Sequence, residues 1–237
     1  MEYIRSKKYE SKELMAKIMG PNPLKLLEEL MADCRIPAGS YVMDLGSGQG
    51  LTSAFLAKEY GMRVCAADLW SEPEDNRRVF AEMGLGEAQI EAVKADATAL
   101  PFEPERFDAV VSVDSYHYFG RGESYLDEKL LPFVKPGGYL YIAIPGMKQD
   151  CHHNLPPVLL RSWTPEDLET MHDVPYWTAM VSSSQAEVIS VREMESNAEV
   201  WADWLRQDNE YAVGDRKSME AGGGDYLNFV AIVLRKK

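Results

Sequence analysis

The sequence predicts an α/β domain with a seven-stranded, mostly parallel, doubly wound sheet, and three observations support that prediction. Short apolar runs alternate with segments of helical period along the chain, which is the pattern of βαβ units. A glycine-rich turn follows the first apolar run, at the place where such sheets bind ligands. The 237 residues contain no internal repeat and no linker-like stretch, so we expect a single domain over residues 1–237.

The first βα unit begins at Tyr41. Residues 41–45 form an apolar run that ends in glycines, and the residues from Leu51 onward have helical period. Gly61 is a suitable end for this helix, because glycine adopts the left-handed conformation that follows helix C-termini. A second strand is predicted at residues 62–67.

Two further strands and one helix follow. Ser71 and Glu74 have the spacing of a capping box, so a helix is expected from there to about Met83. A third strand is predicted at residues 89–94. The fourth strand, residues 107–113, is nearly all apolar, as expected for a strand that is covered on both faces.

The remaining part of the sheet is less regular in sequence. A helix near residues 123–131 and the turn Lys135-Pro136-Gly137-Gly138 precede a fifth strand at 139–144, and residues 145–162 are predicted to be irregular. The last elements are a helix that begins at Thr164-Pro165, a sixth strand at 187–191, a helix capped by Ser196 and a seventh strand at 227–234. The sixth and seventh strands permit an antiparallel hairpin at the sheet edge, with insertions after strands 5 and 6.

The composition disfavours several classes of protein. The hydrophobic fraction of 46% suits a packed globular chain, but no run approaches the roughly 20 apolar residues that a bilayer span requires. The formal net charge of −13 disfavours DNA, RNA or an anionic membrane as a partner, since affinity for phosphates rests on Lys and Arg. The first residues lack the apolar region of a signal peptide, and the three cysteines are too scattered for a disulfide framework. We therefore expect a cytoplasmic protein with a small-molecule partner, and the oligomeric state stays open.

The loop Asp44-Leu45-Gly46-Ser47-Gly48-Gln49-Gly50 is the first candidate ligand site. Glycine removes the Cβ atom, so backbone N–H groups and the start of the next helix can approach a ligand closely. A dinucleotide-binding loop needs G-x-G-x-x-G, but the third glycine is Gly50 and Leu51 follows it. Asp68, at the end of the second strand, is placed to accept hydrogen bonds from ribose hydroxyls. Taken alone, the loop fits any nucleotide-like ligand or a tight turn that binds nothing.

Further segments extend this pattern: Lys94-Ala95-Asp96-Ala97 with Leu100-Pro101-Phe102 after the third strand, Asp114-Ser115 after the fourth, and Val134-Lys135-Pro136-Gly137-Gly138 before the fifth. Together with the loop, over residues 35–145, they resemble the motifs of class I S-adenosylmethionine-dependent methyltransferases. The resemblance implies the class I methyltransferase fold, S-adenosyl-L-methionine as cofactor, and methyl transfer to a small-molecule acceptor by in-line displacement. It also implies the residues that hold the cofactor: Asp44, Gly46, Ser47, Gly48, Gln49, Gly50, Asp68, Leu69, Trp70, Asp96, Ala97, Asp114 and Ser115.

His117 is the candidate catalytic base, because it follows the fourth strand on the face where the methyl group is expected. A base is needed only when the acceptor carries a proton, as a hydroxyl, an ammonium or a carbon acid does. Two alternatives stay open. His117 could instead shape the pocket wall, and Asp114 could orient an acceptor amine or face the methionyl end of the cofactor.

Cys151-His152-His153 has the composition of a metal site, but consecutive side chains rarely converge on one ion, so no metal is expected. Trp201 and Trp204 share a helical face, so packing is favoured for them over a role in walling a cationic acceptor. Asn22 stands between two prolines, which suits either a ligand contact or a turn.

We divide the chain into a helical N-terminal lid (1–35), a cofactor-binding core (36–145), and substrate-side insertions that complete the sheet (146–237). Within the first part, residues 17–23 could lie across the cofactor.

Other functions stay possible at this stage. The chain could be a non-catalytic module that binds an adenosyl cofactor. Adenosyl-dependent lipid modification, such as cyclopropanation, is disfavoured because no membrane-facing apolar or basic surface is apparent. An NAD-dependent reductase is disfavoured by Leu51. The acceptor atom, whether N, O, S or C, leaves no signature in the sequence.

Overall fold

The computed structural model describes residues 2–237, and in it seven strands form a single sheet. The strands are β1 (Tyr41–Leu45), β2 (Arg63–Asp68), β3 (Ile90–Lys94), β4 (Phe107–Val113), β5 (Val134–Met147), β6 (Ala186–Glu193) and β7 (Leu227–Lys236). Their order is β3-β2-β1-β4-β5-β7-β6. The first five strands are parallel, and β7 pairs antiparallel with both β5 and β6.

Nine α-helices connect or cover the strands within residues 2–237. They are α1 (Lys12–Met15), α2 (Pro23–Leu30), α3 (Leu51–Tyr60), α4 (Pro73–Glu82), α5 (Tyr116–Phe119), α6 (Pro165–Leu168), α7 (Val174–Met180), α8 (Asn197–Trp204) and α9 (Glu210–Met219). No helix in this described part of the chain is long and apolar enough to cross a membrane.

The predicted seven-stranded, mostly parallel sheet and its antiparallel edge are confirmed. β1 and β4 have the predicted bounds, and Gly61 ends α3 in the left-handed region with a φ of 65°. The predicted start of α6 is also confirmed, because the Thr164 side chain accepts a hydrogen bond from the Asp167 N–H and Pro165 is the first helical residue.

The prediction of a capping box at Ser71 is wrong. The N-cap of α4 is Glu72, and Pro73 begins the helix because its fixed φ suits the first helical position. The Ser71 N–H instead donates to Asp68 Oδ1 at 2.7 Å. Ser196 does precede α8, but its side chain makes no capping hydrogen bond.

The region around β5 also differs from the prediction. β5 runs from Val134 to Met147, so it includes the predicted turn at 135–138 and the first residues of the predicted irregular segment. A register shift in the β4–β5 ladder accommodates the two glycines of that turn. The predicted helix near 123–131 is a π-helical turn, Leu126–Leu130.

Two hydrophobic clusters lie on opposite faces of the sheet. Alternate residues of each strand point to opposite faces, so Val42 belongs to the first cluster and Met43 to the second. α2 and α3 cover the first face, and α7 covers the second with a fully buried Trp177. The packing of Trp201 and Trp204 is confirmed, since both are buried in the first cluster.

Asn22 fixes the start of α2. Its Oδ1 atom accepts from the N–H groups of Leu24 (3.0 Å) and Lys25 (3.3 Å), and its Nδ2 donates to Asp203 of α8 at 2.8 Å. Pro23 follows as the first helical residue. The structure therefore favours the turn interpretation of Asn22, as a helix cap, over a ligand contact.

Candidate active site

The glycine loop joins β1 to α3 at the carboxyl end of the sheet. Gly46, Gly48 and Gly50 all have positive φ values, 78°, 51° and 82°. The Gly46 N–H donates to the carbonyl of Ala67 in β2 at 2.8 Å, and Gly50 is the N-cap of α3. The loop is therefore a tight left-handed turn that glycine adopts without strain.

Two of these glycines are also required by close packing. A Cβ atom on Gly46 would lie 2.2 Å from Ser115 Oγ, and one on Gly50 would lie 2.5 Å from the Phe80 ring. Gly48 instead faces the N-terminal segment, where its Cβ would lie 3.1 Å from Met19 Sδ. Residue 19 belongs to the predicted lid segment, so that segment does lie against the loop.

Asp44 is the next-to-last residue of β1, and its carboxylate is fully buried. Its Oδ2 atom accepts hydrogen bonds from Thr52 Oγ1 (2.7 Å) and Ser53 Oγ (2.5 Å) in the first turn of α3. Burial raises the pKa of Asp44 to about 6, although these two hydroxyls oppose the rise. Its Oδ1 atom is buried and has no hydrogen-bond partner among residues 2–237.

Asp68 at the end of β2 organises the backbone on both sides of it. Its Oδ2 accepts from the Gly48 N–H at 2.9 Å, and its Oδ1 accepts from the N–H groups of Trp70 (2.9 Å) and Ser71 (2.7 Å). Each carboxylate oxygen has two lone pairs, so Oδ2 can still accept from a ligand hydroxyl. Leu69 and Trp70 are 46% and 77% exposed, which is unusual for large apolar side chains and leaves them free to cover a ligand.

The segment after β3 is open to solvent. Asp96 is exposed, and its Oδ1 accepts from the Thr98 N–H and hydroxyl, which lowers the pKa of Asp96. The carbonyl oxygen of Ala97 accepts from the Tyr125 hydroxyl at 2.9 Å. The Tyr125 bond fixes the position of this segment beside the other strand ends.

Asp114 and Ser115 follow β4. Asp114 has a φ of 57°, a conformation that is uncommon for residues other than glycine and that often occurs at functional sites. Burial, and then the negative charge of Asp215, raise the pKa of Asp114 to about 7. Ser115 Oγ donates to the carbonyl of Leu45 at 2.9 Å, so it ties the end of β4 to the glycine loop.

The comparisons with known proteins agree with this geometry. A protein-family model described as a methyltransferase domain matches residues 43–142. The chain is 33% identical over 195 residues to a demethylmenaquinone methyltransferase of Clavibacter sepedonicus, an alignment that covers 78% of this chain and 71% of that protein. The chain is a class I S-adenosylmethionine-dependent methyltransferase.

Two other relatives of this methyltransferase show how far the likeness extends. A sarcosine/dimethylglycine N-methyltransferase of Aphanothece halophytica is 32% identical over 127 residues, which are 53% of this chain but only 45% of that protein. The crystal structure of a methyltransferase from Geobacter sulfurreducens in complex with S-adenosyl-L-homocysteine superposes with a TM-score of 0.67, covering 93% of this chain and 94% of that chain at 19% identity. At that identity the superposition supports the fold.

The residues of the loop fit the cofactor of this family. S-adenosylmethionine carries N–H and O–H donors, and the methyltransferase offers two buried polar atoms that lack partners within its described residues, Asp44 Oδ1 and Ser47 Oγ. The absence of Cβ atoms at the three glycines leaves the backbone accessible. When bound, the cofactor supplies an electrophilic methyl group on a sulfonium. Asp44 and Asp68, near the ends of two adjacent strands, are the acceptors that would hold it.

His117 lies at the start of α5 in a buried position, with 1% of its surface exposed. Burial, and then the nearby Arg121, lower the pKa of His117 to about 3, so the methyltransferase holds this imidazole neutral at pH 7. Its Nδ1 atom has no hydrogen-bond partner within residues 2–237. A base role for His117 stays a prediction.

The structure adds residues that the sequence did not identify. Asn76 of α4 donates from Nδ2 to the carbonyl of Gly48 at 3.1 Å, and the same helix lines a groove of about 550 Å³ beside the loop with Lys17, Met19 and Gln49. Asp215 of α9 was also missed. No sequence signal identifies Asn76 or Asp215, since each is a single polar residue on a helix and belongs to no recognisable motif. A second cavity of about 360 Å³ lies elsewhere, between the N-terminal segment and α8.

Cys151, His152 and His153 do not converge on one point, as the sequence analysis expected for consecutive side chains. His152 lies beside Asp150 and His172, the latter from the segment before α7, with one ligand-type atom of each within 4.8 Å of the others. Cys151 instead directs its Sγ atom to Met147 Sδ at 3.4 Å, and His153 is exposed.

Proposed function

We propose that this methyltransferase acts on a small molecule that carries an amine. The observation that supports the proposal is the carboxyl of Asp114 after β4, whose pKa is raised by burial and then by the negative charge of Asp215. A positive charge offsets the repulsion between two carboxylates, so this arrangement favours a cationic or hydrogen-donating ligand. The net charge of −13 also attracts cations to the surface.

The same carboxylates suit the proton transfer that amine methylation needs. An ammonium group has no lone pair, so it has to lose a proton before it attacks a methyl group. A base with a pKa near 7 takes such a proton efficiently at neutral pH, and burial brings Asp114 to about 7. With a pKa near 3, His117 is the weaker candidate for this step and the better one for shaping the pocket wall.

The cofactor contacts follow from the strand ends. We propose that the cofactor lies across the loop from β1 and the ends of β2 and β3, against Asp44, Asp68 and Asp96, with Asp114 after β4 on the side that faces the acceptor. Support comes from the unpartnered Asp44 Oδ1 and from the free lone pair on Asp68 Oδ2. Residues 1–35, through Met19, would cover this site, residues 36–145 would hold the cofactor, and residues 146–237 would contribute the acceptor side.

Three free cysteines support the proposal that the enzyme works in the reducing cytoplasm.

The names of the relatives point to two classes of acceptor. The sarcosine/dimethylglycine N-methyltransferase supports an amine acceptor, whereas the name of the demethylmenaquinone methyltransferase indicates a quinone-type acceptor for that protein. The choice between these classes therefore needs a direct test.

The first experiment is calorimetric titration of the purified enzyme with S-adenosylmethionine, S-adenosylhomocysteine and NADH. Micromolar binding of the first two without an NADH response is expected. A methyl-labelled donor is then offered with a panel of amines and a matched panel of hydroxyl and quinol acceptors. Label in the amines supports the proposal, and label confined to the hydroxyl or quinol panel refutes the amine assignment while leaving the methyltransferase activity intact.

Asp114→Asn tests the base. Turnover of the amine is expected to fall on the order of 10²-fold, the usual contribution of a positioned base, whereas binding of S-adenosylhomocysteine is retained. Asp208→Asn is the matched control, because the Asp208 carboxylate is fully exposed. Unchanged turnover in Asp114→Asn would exclude Asp114 as the base.

A further inference from the structure

Three side chains that the cofactor site does not use converge beyond the end of β5. The Nδ1 atom of His152 lies 3.0 Å from Asp150 Oδ1, and the Nδ1 atom of His172 lies 3.3 Å from Asp150 Oδ2. One ligand-type atom of each residue lies within 4.8 Å of the other two. Imidazole nitrogen and carboxylate oxygen are the ligands that zinc takes in sites with an open coordination position.

The spacing of these atoms fits one ion. Zinc binds nitrogen and oxygen at about 2.0–2.2 Å in a tetrahedron, which places neighbouring ligand atoms about 3.3–3.5 Å apart. The Asp150–His152 and Asp150–His172 separations of 3.0 and 3.3 Å are close to that value. The three ligand atoms all lie within 4.8 Å of one another, so the two histidine nitrogens have only to move toward a common point to complete the geometry.

The second ring nitrogen of His152 makes the kind of hydrogen bond that metal-binding histidines usually make. His152 Nε2 lies 3.0 Å from the carbonyl oxygen of Leu168, which can only accept. A neutral imidazole has one N–H, so donation to Leu168 leaves Nδ1 with a lone pair that faces the Asp150 carboxylate. A lone pair and a carboxylate that face each other repel, and a cation between them removes that repulsion. The Leu168 carbonyl then acts as the outer partner that orients the His152 ring toward the ion.

The backbone holds all three residues in place. The His152 N–H donates to Asp150 Oδ1 at 3.0 Å, and the Asp150 N–H donates to Asp173 Oδ2 at 3.1 Å. The carbonyl of His172 accepts from the Met147 N–H at the end of β5, and the His172 ring stacks on Tyr176 at 3.5 Å. The side chains keep 39%, 24% and 13% exposure for Asp150, His152 and His172, so an ion can reach them.

We propose that Asp150, His152 and His172 bind one divalent metal ion of the zinc type, with a fourth position open to water or to a ligand. The site differs from the consecutive run Cys151-His152-His153, at which the sequence analysis expected no metal. The ion would link the loop after β5 to the segment that begins α7. None of these three residues is among the individual cofactor and acceptor residues named above, so the metal test does not depend on the identity of the acceptor.

The test is zinc binding to the full-length enzyme after chelator dialysis. Calorimetric titration with zinc chloride is expected to give one ion per chain. His152→Ala and His172→Ala are expected to weaken binding at least as much as loss of an outer-shell partner, roughly 10–100-fold. His153→Ala and Cys151→Ser are the matched controls, because both residues are adjacent in sequence and outside the cluster, and they are expected to bind zinc as the wild type does.

A cobalt(II) titration adds a spectroscopic readout. Intense visible absorption without a thiolate charge-transfer band is expected for a site of nitrogen and oxygen ligands, and a thiolate band would overturn the assignment in favour of Cys151. Zinc is also expected to raise the melting temperature of the wild type and not that of His172→Ala. No zinc binding at tens of micromolar, or equal weakening by His153→Ala and His172→Ala in variants shown to be folded, would refute the site.

Discussion

Gly46→Ala tests whether the glycine loop is shaped by backbone conformation alone or also by close approach to β4. Gly46 has a φ of 78°, and a Cβ atom there would lie 2.2 Å from Ser115 Oγ and 2.3 Å from Ser115 Cβ. Gly39 is the matched control, because its φ is 83° and a Cβ atom on it would meet no heavy atom within 4 Å among residues 2–237. Gly39 also precedes the opposite end of β1, away from the cofactor loop.

The expected magnitudes follow from that difference. A left-handed alanine costs about 1–2 kcal/mol, and this is the whole loss expected for Gly39→Ala. Gly46→Ala adds an overpacking loss of about 1–3 kcal/mol, because the Ser115 side chain and the β4 end have to move. With a urea m-value of about 2 kcal/mol per molar, the midpoint of Gly46→Ala should lie roughly 0.5–1.5 M below that of Gly39→Ala.

The assays are urea unfolding and calorimetric titration with S-adenosylhomocysteine. Gly46→Ala is expected to lose both stability and affinity, whereas Gly39→Ala keeps its affinity. Ser115→Gly combined with Gly46→Ala should recover part of the loss, which gives a favourable coupling energy of about 1–3 kcal/mol in a double-mutant cycle. Equal midpoints for the two alanine variants, or a coupling near zero, would refute the close-approach argument.

Three further predictions follow. Asp68→Asn replaces one carboxylate oxygen, which accepts a hydrogen bond, with an NH₂ group that faces a backbone N–H. The affinity for S-adenosylhomocysteine, measured by calorimetry, should fall tenfold or more, which is about 1.4 kcal/mol, and an unchanged affinity would exclude Asp68 from the site. Asn22→Ala should lower the free energy of unfolding by about 1–3 kcal/mol, because Leu24 and Lys25 lose their cap in a buried position, and a loss below 0.5 kcal/mol would contradict this. The pKa of Asp114 is about 7 in the folded protein and 3.8, its ordinary value, in the unfolded chain, so ionisation of Asp114 lowers the stability progressively as the pH rises from 4 to 7. Asp114→Asn should therefore raise the melting temperature at pH 8 and leave it unchanged below pH 4. The opposite pattern would rule out a raised pKa for Asp114.

The parallel part of the fold was predictable because single segments encode it. β1 and β4 are apolar runs with both faces covered, and Gly61 marks a helix end by its own conformational preference. Thr164 and Pro165 likewise need only local hydrogen bonds. In such segments the pattern of a few residues determines the structure.

The extent of β5 was not predictable in this way. Pro145 was expected to end the strand, but it pairs with Phe229 of β7 inside the ladder. Backbone groups alternate between the two neighbours of a strand, and the Ala143 carbonyl accepts from the Asp114 N–H on the β4 side. Pro145 therefore turns its nitrogen to the same side, beyond the end of β4, where no ladder hydrogen bond is lost.

The candidate site was predictable only where its residues follow strands of the βα pattern. Asp44 and Asp68 lie in the last two residues of their strands, Asp96 and Asp114 follow theirs, and the carboxyl ends of parallel strands meet at one edge of the sheet. Asn76, Asp215 and His172 come from helices or loops whose position depends on tertiary packing. No spacing rule connects them to the residues that they approach.

The place of β7 in the sheet has a consequence for how the protein is made. β7 is the last strand along the chain, yet it lies between β5 and β6, and β6 pairs with no other strand of the described sheet. During synthesis, therefore, the long outer edge of β5 and all of β6 stay unpaired until β7 emerges. Exposed strand edges of that kind can pair between chains, so rapid synthesis of the ten residues of β7 would shorten the time in which the nascent protein is open to aggregation.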